Sequence, residues 1–401
     1  MAKRGVTVVL KGKDIRSIIV SLLIPIILLT GCWSSREVED LAIVTIIGLD
    51  RITEGGVEKW QVSSRIFKAT PEQKGEVAKG TKEILVKGTG VTIQDADLEY
   101  LKRMPRVPFF GHMNSFVIGK RAAEESIEEI LSIHLSHVQD RPRTFMLVTE
   151  GEALDILGAE PDMASTISKE ITSIAIDKAK NFGTAMGVTS TEFVECLLSQ
   201  DRDAFLPRIN LVYPDKVEKS VEKTIDVEGF GVFRGPKLVG WLNKEQATGF
   251  LFLCQKGIQG ASIIIPVQDE ETQYTYTVNS SKSKIQPKME DGKLSFKVTV
   301  QTKGTILETG GMTLTPENLK KKEEVINETL QNMCMSTISK AKELDSEFLG
   351  FMQKLHQVNP AAWQEVKDNW REAFRDAEIE VVVQSKVLNT GRLTKKLEFK
   401  D

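Results

Sequence analysis

The first 31 residues separate what folds from what does not. A leader carrying Lys3, Arg4, Lys11, Lys13 and Arg16 runs into a mostly apolar stretch, Ile18 to Leu29, which is followed by Thr30-Gly31-Cys32. A run of about a dozen residues matches the core of a signal peptide and is too short to span a bilayer comfortably. Leu29, Thr30 and Gly31 ahead of a cysteine form the pattern of a bacterial lipoprotein signal. In such a signal the thiol receives a diacylglyceryl group, with acyl chains such as palmitate, and the leader is cut just before it. The expectation is a signal peptide over residues 1–31 and a mature chain that begins at lipidated Cys32.

Two acyl chains hold a protein stably where one does so marginally, at about 0.8 kcal/mol per buried CH₂. Attachment through Cys32 therefore needs no basic patch, and the sequence shows no basic run that would supply one. Without residues 1–31 the chain keeps 48 Lys and Arg against 55 Asp and Glu, and its net charge moves from −3 to −7. An acidic body is repelled by anionic lipid and by nucleic acid, so no nucleic-acid partner is expected.

With Cys32 spent on lipid, Cys196, Cys254 and Cys334 remain, at no spacing that suggests a metal clip or a redox pair. Their apolar neighbours imply buried free thiols. The long mature chain can bury substantial cores without disulfides, which points to more than one domain.

Strand and helix patterns are mixed rather than regularly alternating. Leu41 to Leu49 and Trp60 to Phe67 read as strands of a hairpin turned at Glu54-Gly55-Gly56, and Ile84 to Thr89 reads as another strand. Residues 70–82 are polar and read as a loop. Helices are expected over 92–102 and 124–134, a strand over 116–118, and another over 145–149. A short helix over 152–157 would close at Gly158 in the C′ position. Further helices are expected over 167–181 and 191–198, the latter capped by Thr189 or Ser190.

Charge and Pro214 mark a change near Leu211, where the domain boundary is placed: 32–210 as an N-terminal α+β domain, which two subdomains would also fit, and 211–401 as a C-terminal α+β domain. In the second part, strands 225–233 and 238–241 flank the turn Arg234-Gly235-Pro236-Lys237, and Asn243 with Gln246 resembles a capping box. Strands 274–278, 282–287 and 294–303 alternate as in an antiparallel meander. Thr315-Pro316 then opens the longest helix, whose apolar stripe continues to Leu355 and stops at Asn359-Pro360. Trp363, Val366, Trp370 and Phe374 line a second amphipathic helix, and Ile379, Val381 and Val383 alternate as a last strand. The fold class is α+β, with mixed and antiparallel sheets, packed helices, several domains and a long C-terminal helix.

No catalytic pattern emerges. Of His112, His134, His137 and His356, only His134 and His137 share a helical face, without acidic or cysteine partners at metal-site spacing. No nucleophile elbow or phosphate loop is present. Glu124-Glu125 and the charged run 320–324 read as solvated helix faces. Arg141-Pro142-Arg143 reads as surface charge before a strand, although two guanidiniums beside a rigid proline also suit a partner's carboxylate. The amphipathic stripes read as core, and Trp33 fits either the lipid headgroup level or the first packed residue of the body. No enzyme activity, cofactor or metal is expected.

Cys32-Trp33 with Arg36-Glu37-Val38, Leu41-Ala42-Ile43-Val44 and Ile47-Gly48-Leu49-Asp50 resembles the mature start of the C subunits of spore germinant receptors, the Ger(x)C family. Gly119, Gly240-Trp241-Leu242, the segment 345–351, Pro360, Trp363, Trp370, Phe374 and Thr390-Gly391 resemble the same family, while Ser34 stands where many members carry Asp. The resemblance implies a lipoprotein on the outer face of the spore inner membrane. It also implies assembly with a multi-span A subunit and a transporter-like B subunit in nutrient-triggered germination, by binding or positioning rather than chemistry. Two other readings stand beside it. A solute-binding lipoprotein feeding a transporter would show two βαβ lobes, against which the meander speaks. A tethered hydrolase would need the nucleophile motifs that are missing.

Overall fold

A computed structural model describes residues 40–67, 83–125, 127–136, 143–213, 223–254, 258–269, 272–307 and 315–389. The chain divides into Met1–Leu41 and a body, Ala42–Asp401. Cys32, Trp33, the loop 70–82, His137, Arg141, Pro142 and Thr390-Gly391 lie outside the described residues, as does the side chain of His134.

Thirteen strands are described, in two sheets. β1 (Leu41–Glu54) and β2 (Val57–Phe67) form an antiparallel hairpin whose turn places Gly55 and Gly56 at φ +60° and +79°. Beside it lie β3 (Glu83–Gly90), β4 (Val107–Phe109), β5 (Ser115–Ile118), β6 (Phe145–Val148), β7 (Phe205–Val212), β8 (Thr224–Arg234) and β9 (Lys237–Leu242). The order is β3-β2-β1-β5-β6-β7-β8-β9, with β4 on β1. β1, β5, β6 and β7 run parallel in the centre, and the flanks are antiparallel. The second sheet, of β10 (Ile258–Gln268), β11 (Gln273–Glu290), β12 (Lys293–Leu307) and β13 (Glu378–Asn389), is antiparallel as far as β12, and β13 returns parallel to β12.

The helices are α1 (Ile93–Leu101), α2 (Lys120–Glu125), α3 (Glu128–Ser136), α4 (Ala153–Gly158), α5 (Ile167–Thr172), α6 (Ala179–Phe182) and α7 (Ser190–Leu197), then α8 (Lys244–Leu253), α9 (Pro316–Glu343), α10 (Phe351–Val358), α11 (Pro360–Val366) and α12 (Trp370–Asp376). A π-helical stretch, Ser173–Lys178, joins α5 to α6. The caps read from sequence form as expected. Thr189 with Glu192, Asn243 with Gln246 and Thr315 with Asn318 each make a reciprocal capping box.

Two helices close sheet edges with side chains. Along β3, Asp95 accepts from the Val91 N–H at 3.1 Å, Glu99 accepts from the Thr89 N–H, and Arg103 donates to the Lys87 carbonyl. Along β13, Glu323 accepts from the Val387 N–H at 2.9 Å and Asn327 from the Ser385 N–H at 2.6 Å, while Gln331 donates to the Val381 carbonyl at 3.0 Å. The spacing explains the match: four helical residues rise about 6 Å and two strand residues about 6.6 Å. Along β3, and over the first two bonds on β13, every fourth side chain therefore meets every second residue of the strand, and an edge open to further pairing is covered.

Several expected elements are divided or merged. The helix expected over 124–134 is two, α2 and α3. Gly158 ends α4 as its last helical residue, not as a left-handed C′ residue. The strands expected over 274–278 and 282–287 are one, carried through a register shift between Val278 and Ser280. The Trp363–Phe374 helix is broken by a 3₁₀ turn at Lys367–Asn369.

The long helix is α9, of 28 residues, and it stops at Glu343 rather than running on to Leu355. The Ser346 N–H bonds to the Ala341 carbonyl and the Asp345 N–H to the Lys342 carbonyl, with Asp345 at φ +49°. This is a Schellman stop with Asp at the position usually held by Gly.

The glycines behind the family resemblance are places of close approach. A Cβ on Gly48 would meet Ser63 Oγ at 2.5 Å and the Ala153 methyl at 3.0 Å, and one on Gly119 would collide with the Asp50 carboxylate. Gly119→Ala should therefore destabilise the body by about 3 kcal/mol, whereas Gly151→Ala, whose new methyl meets nothing within 4 Å, should be nearly neutral. Urea midpoints of the two variants check this.

Candidate functional site

Two helices in the body lack a capping side chain at the N-cap position and take one from a buried carboxylate elsewhere, α4 from β1 and α10 from just upstream. α4 follows Glu152, whose side chain makes no capping bond. Asp50, at the buried end of the Ile47-Gly48-Leu49-Asp50 run, accepts instead from the N–H groups of Ala153 at 2.7 Å and Leu154 at 3.0 Å. Burial raises its pKa to about 6 against these bonds, which pull the other way.

α10 begins after Gly350, at φ +83° and without a side chain to cap with. Glu347, fully buried, accepts from the N–H groups of Gly350 at 2.7 Å, Phe351 at 3.1 Å and Met352 at 3.4 Å. Desolvation pushes its pKa up to about 8, opposed by the backbone donors and by Arg202.

Glu347 belongs to a wider junction. Asp203, also buried, accepts from the Glu347 N–H at 3.0 Å and the Gly235 N–H at 3.3 Å, and its own N–H donates to the Glu347 carbonyl at 2.9 Å. The Arg371 guanidinium grips Asp203 with two bonds, at 2.6 and 3.1 Å. Asp201 pairs with His356 Nδ1 at 2.6 Å, and the Arg202 Nε donates to the Phe348 carbonyl at 3.3 Å. Of three successive residues ahead of β7, Arg202 and Asp203 thus hold the segment between α9 and α10, and Asp201 holds α10 itself.

The aromatic residues of the tail pack around that segment. Trp363 stacks on His356 at 4.9 Å, Arg371 lies 4.2 Å over Trp370, and Phe374 stacks on Phe351. Phe205, Phe230, Phe250 and Phe348 meet edge to face beneath it, at 4.7 to 5.5 Å. Glu347 and Asp203 spend their lone pairs on backbone N–H groups and Arg371, and Asp201 on His356 and the Ser199 hydroxyl, so they hold chain in place.

Beside the junction lies a cavity of about 330 Å³ walled by Glu192, Cys196, Arg202, Cys254, Gly350 and Gln353 among others. Cys196 and Cys254 are half-buried there, contrary to the expectation of three buried thiols, because both sit where a helix ends. Cys334 is buried as expected, and burial pushes its thiol up to about 12. Among the described residues no cluster of three or more His, Cys, Asp or Glu is placed to hold a metal, and no helix is long and apolar enough to cross a membrane. His112 packs edge-on to Phe109, and Arg143 is exposed before β6. The expected modification site, Cys32, lies outside the described residues.

Comparison with known proteins gives the site its setting. Residues 34–211 match the family model described as spore germination protein N-terminal domain, and residues 228–391 match the one described as spore germination B3/GerAC like, C-terminal. The chain belongs to the Ger(x)C family of spore germination proteins.

Among its relatives is spore germination protein KC of Bacillus subtilis (strain 168), 24% identical over 95% of this chain and 98% of that protein. Spore germination protein B3 of the same organism is 21% identical, over 92% and 96%. The crystal structure of the GerBC protein superposes with a TM-score of 0.57 at 18% identity, covering 86% of this chain and 97% of that one, which shows the fold to be shared. Among the described residues the Ger(x)C body has one nine-stranded and one four-stranded sheet, not the two alternating lobes of a solute-binding lipoprotein.

Arg371→Ala would leave Asp203 buried without its cation. A loss of about 3 kcal/mol in unfolding free energy is expected, with Arg371→Lys recovering only part of it because the two-pronged grip is gone.

The raised carboxyls also set a pH dependence. Between pH 4.5 and about 8 the folded state keeps a proton on Glu347 that the unfolded chain releases, so stability falls as pH rises through that window and levels off above it. Asp50 adds a similar fall up to about pH 6. Glu347→Gln should flatten the slope between pH 6 and 8, where the wild-type chain loses on the order of a few kcal/mol. Thermal melts across that range check it.

Proposed function

We propose that this chain is the lipid-anchored C subunit of a spore germinant receptor. In this reading Cys32 carries the lipid, residues 1–31 are removed, and the body lies on the outer face of the spore's inner membrane. There it works with the A and B membrane subunits, binding and positioning them so that nutrients trigger germination, without chemistry or a cofactor of its own. The observation that carries the reading is positional: the family match begins at residue 34, just past the cysteine that ends the lipoprotein signal.

The two halves, 32–210 and 211–401, are read as units that the junction around Asp203 and Glu347 locks into one body. The family models meet between 211 and 228, which supports a boundary there, while β7 and β8 pair across it within one sheet. A body locked in this way suits a part that positions others.

Cys32→Ala tests the anchor. The variant should take up no labelled palmitate, leave the spore membrane fraction and weaken the response to nutrients while accumulating as a folded chain. A variant that stays on the membrane and germinates normally would contradict the reading.

A further inference from the structure

The four-stranded sheet has one covered face. α8, α9, α10 and α12 pack on its inner side, where Tyr276, Val278, Phe296, Val298, Val300 and Val381 are buried. The alternate residues of β11, β12 and β13 point outward and are largely exposed.

The pairing register sets those outward residues in rungs: Ser280, Lys303 and Lys386; then Lys282, Gln301 and Gln384; then Lys284, Thr299 and Val382. Four exposed lysines thus share three adjoining rungs, within roughly 10 Å by 13 Å at ordinary strand spacings. Lys303 and Lys386 stand directly opposite each other, a like-charge pair that weakens a sheet. No carboxylate sits in these rungs, and among the described residues none forms an ion pair with any of the four. The next two rungs differ, since Lys297 pairs with Glu380 and Lys288 with Glu290.

The sequence shows no basic run because these lysines are spread over three strands, each between neighbours that face inward. Folding gathers them. The expected repulsion from anionic surfaces, drawn from net charge alone, therefore does not hold on this face.

We propose that the outer face of the four-stranded sheet, through Lys282, Lys284, Lys303 and Lys386, docks on an anionic lipid surface, that of the membrane to which the Cys32 anchor ties the chain. The proposal rests on the anchor reading. Charge complementarity favours an anionic occupant, and the form of the face selects lipid. It is a broad face of paired strands, and its residues line none of the described cavities that could seat a peptide's side chains. Its cations in these rungs are all lysines, hydrated point charges suited to a field of headgroups, with no arginine fork to grip one carboxylate.

Each lysine at such a surface gains about fivefold in binding, so four gain several hundredfold. That holds a free protein only weakly. For a chain already tethered, whose effective concentration at the bilayer is of millimolar order, it is enough to fix which face meets the membrane.

The test is lysine footprinting on the processed protein, purified from its host membrane and reconstituted in vesicles of phosphatidylcholine alone or mixed with phosphatidylglycerol. Acetylation of each lysine is followed by mass spectrometry, with exposed Lys237 and Lys320, which lie on other elements, as references. The protein should float with both kinds of vesicle. Its four lysines should react about fivefold more slowly on the anionic ones, and the protection should vanish at about 1 M salt, where the screening length is roughly 3 Å. Flotation with both and equal reactivity would overturn the docking and leave the anchor standing. Failure to float would overturn the anchor, and the docking with it. Protection that appears on neutral vesicles only when an acidic membrane subunit is added would assign the face to a protein and overturn the lipid proposal. Lys303→Gln with Lys386→Gln, surface changes without a folding penalty, should halve the protection of the remaining two or better.

Discussion

The body depends on a buried carboxylate doing what a capping residue usually does. At the junction, Glu347 caps α10 from three residues before its N-cap Gly350, and Asp203 holds Glu347 by its backbone. Arg371 then neutralises Asp203 from the helix that ends the tail. The chain crosses this point three times, before β7, between α9 and α10, and in α12, so a change at any of the three side chains is felt by all of them. Desolvation makes the arrangement costly for charge, which explains why Glu347 holds its proton to about pH 8 while Asp203 has a cation beside it. Asp50 repeats the device in the first half, capping α4 from β1.

A body held in this way suits a positioning role. Its acids bind backbone and its aromatic tail packs inward on the junction, so the groups most suited to chemistry are occupied by structure. The membership in the Ger(x)C family of spore germination proteins agrees with that picture. Among the described residues, the body offers outward the lysine face of the four-stranded sheet.

Much of the architecture was legible because its signals are local. The β1–β2 hairpin announces itself through Gly55-Gly56, and the starts of α7, α8 and α9 through capping residues three positions from their partners. What the sequence hid was long-range. The stop of α9 lies at Asp345, where no glycine marks it, and the apolar stripe continues in phase into α10 because both helices face one core. The caps of α4 and α10 come from residues 103 and three positions away, the first beyond any window of local reading. The half-buried Cys196 and Cys254 were misread from apolar neighbours, since a helix end exposes what its middle would bury. Asp203 and Arg371 of the junction carried no motif, whereas Asp50, Gly119, the segment 345–351 with Glu347, and the tail tryptophans entered through the family resemblance before any geometry explained them.

Whether this chain serves a germinant receptor is measured most directly by dipicolinic acid release from spores lacking it, across a panel of single nutrients and one non-nutrient trigger. Loss of the response to particular nutrients, with the non-nutrient route intact, is the predicted result. Full release to every nutrient in spores whose other germinant receptors have also been removed would contradict it.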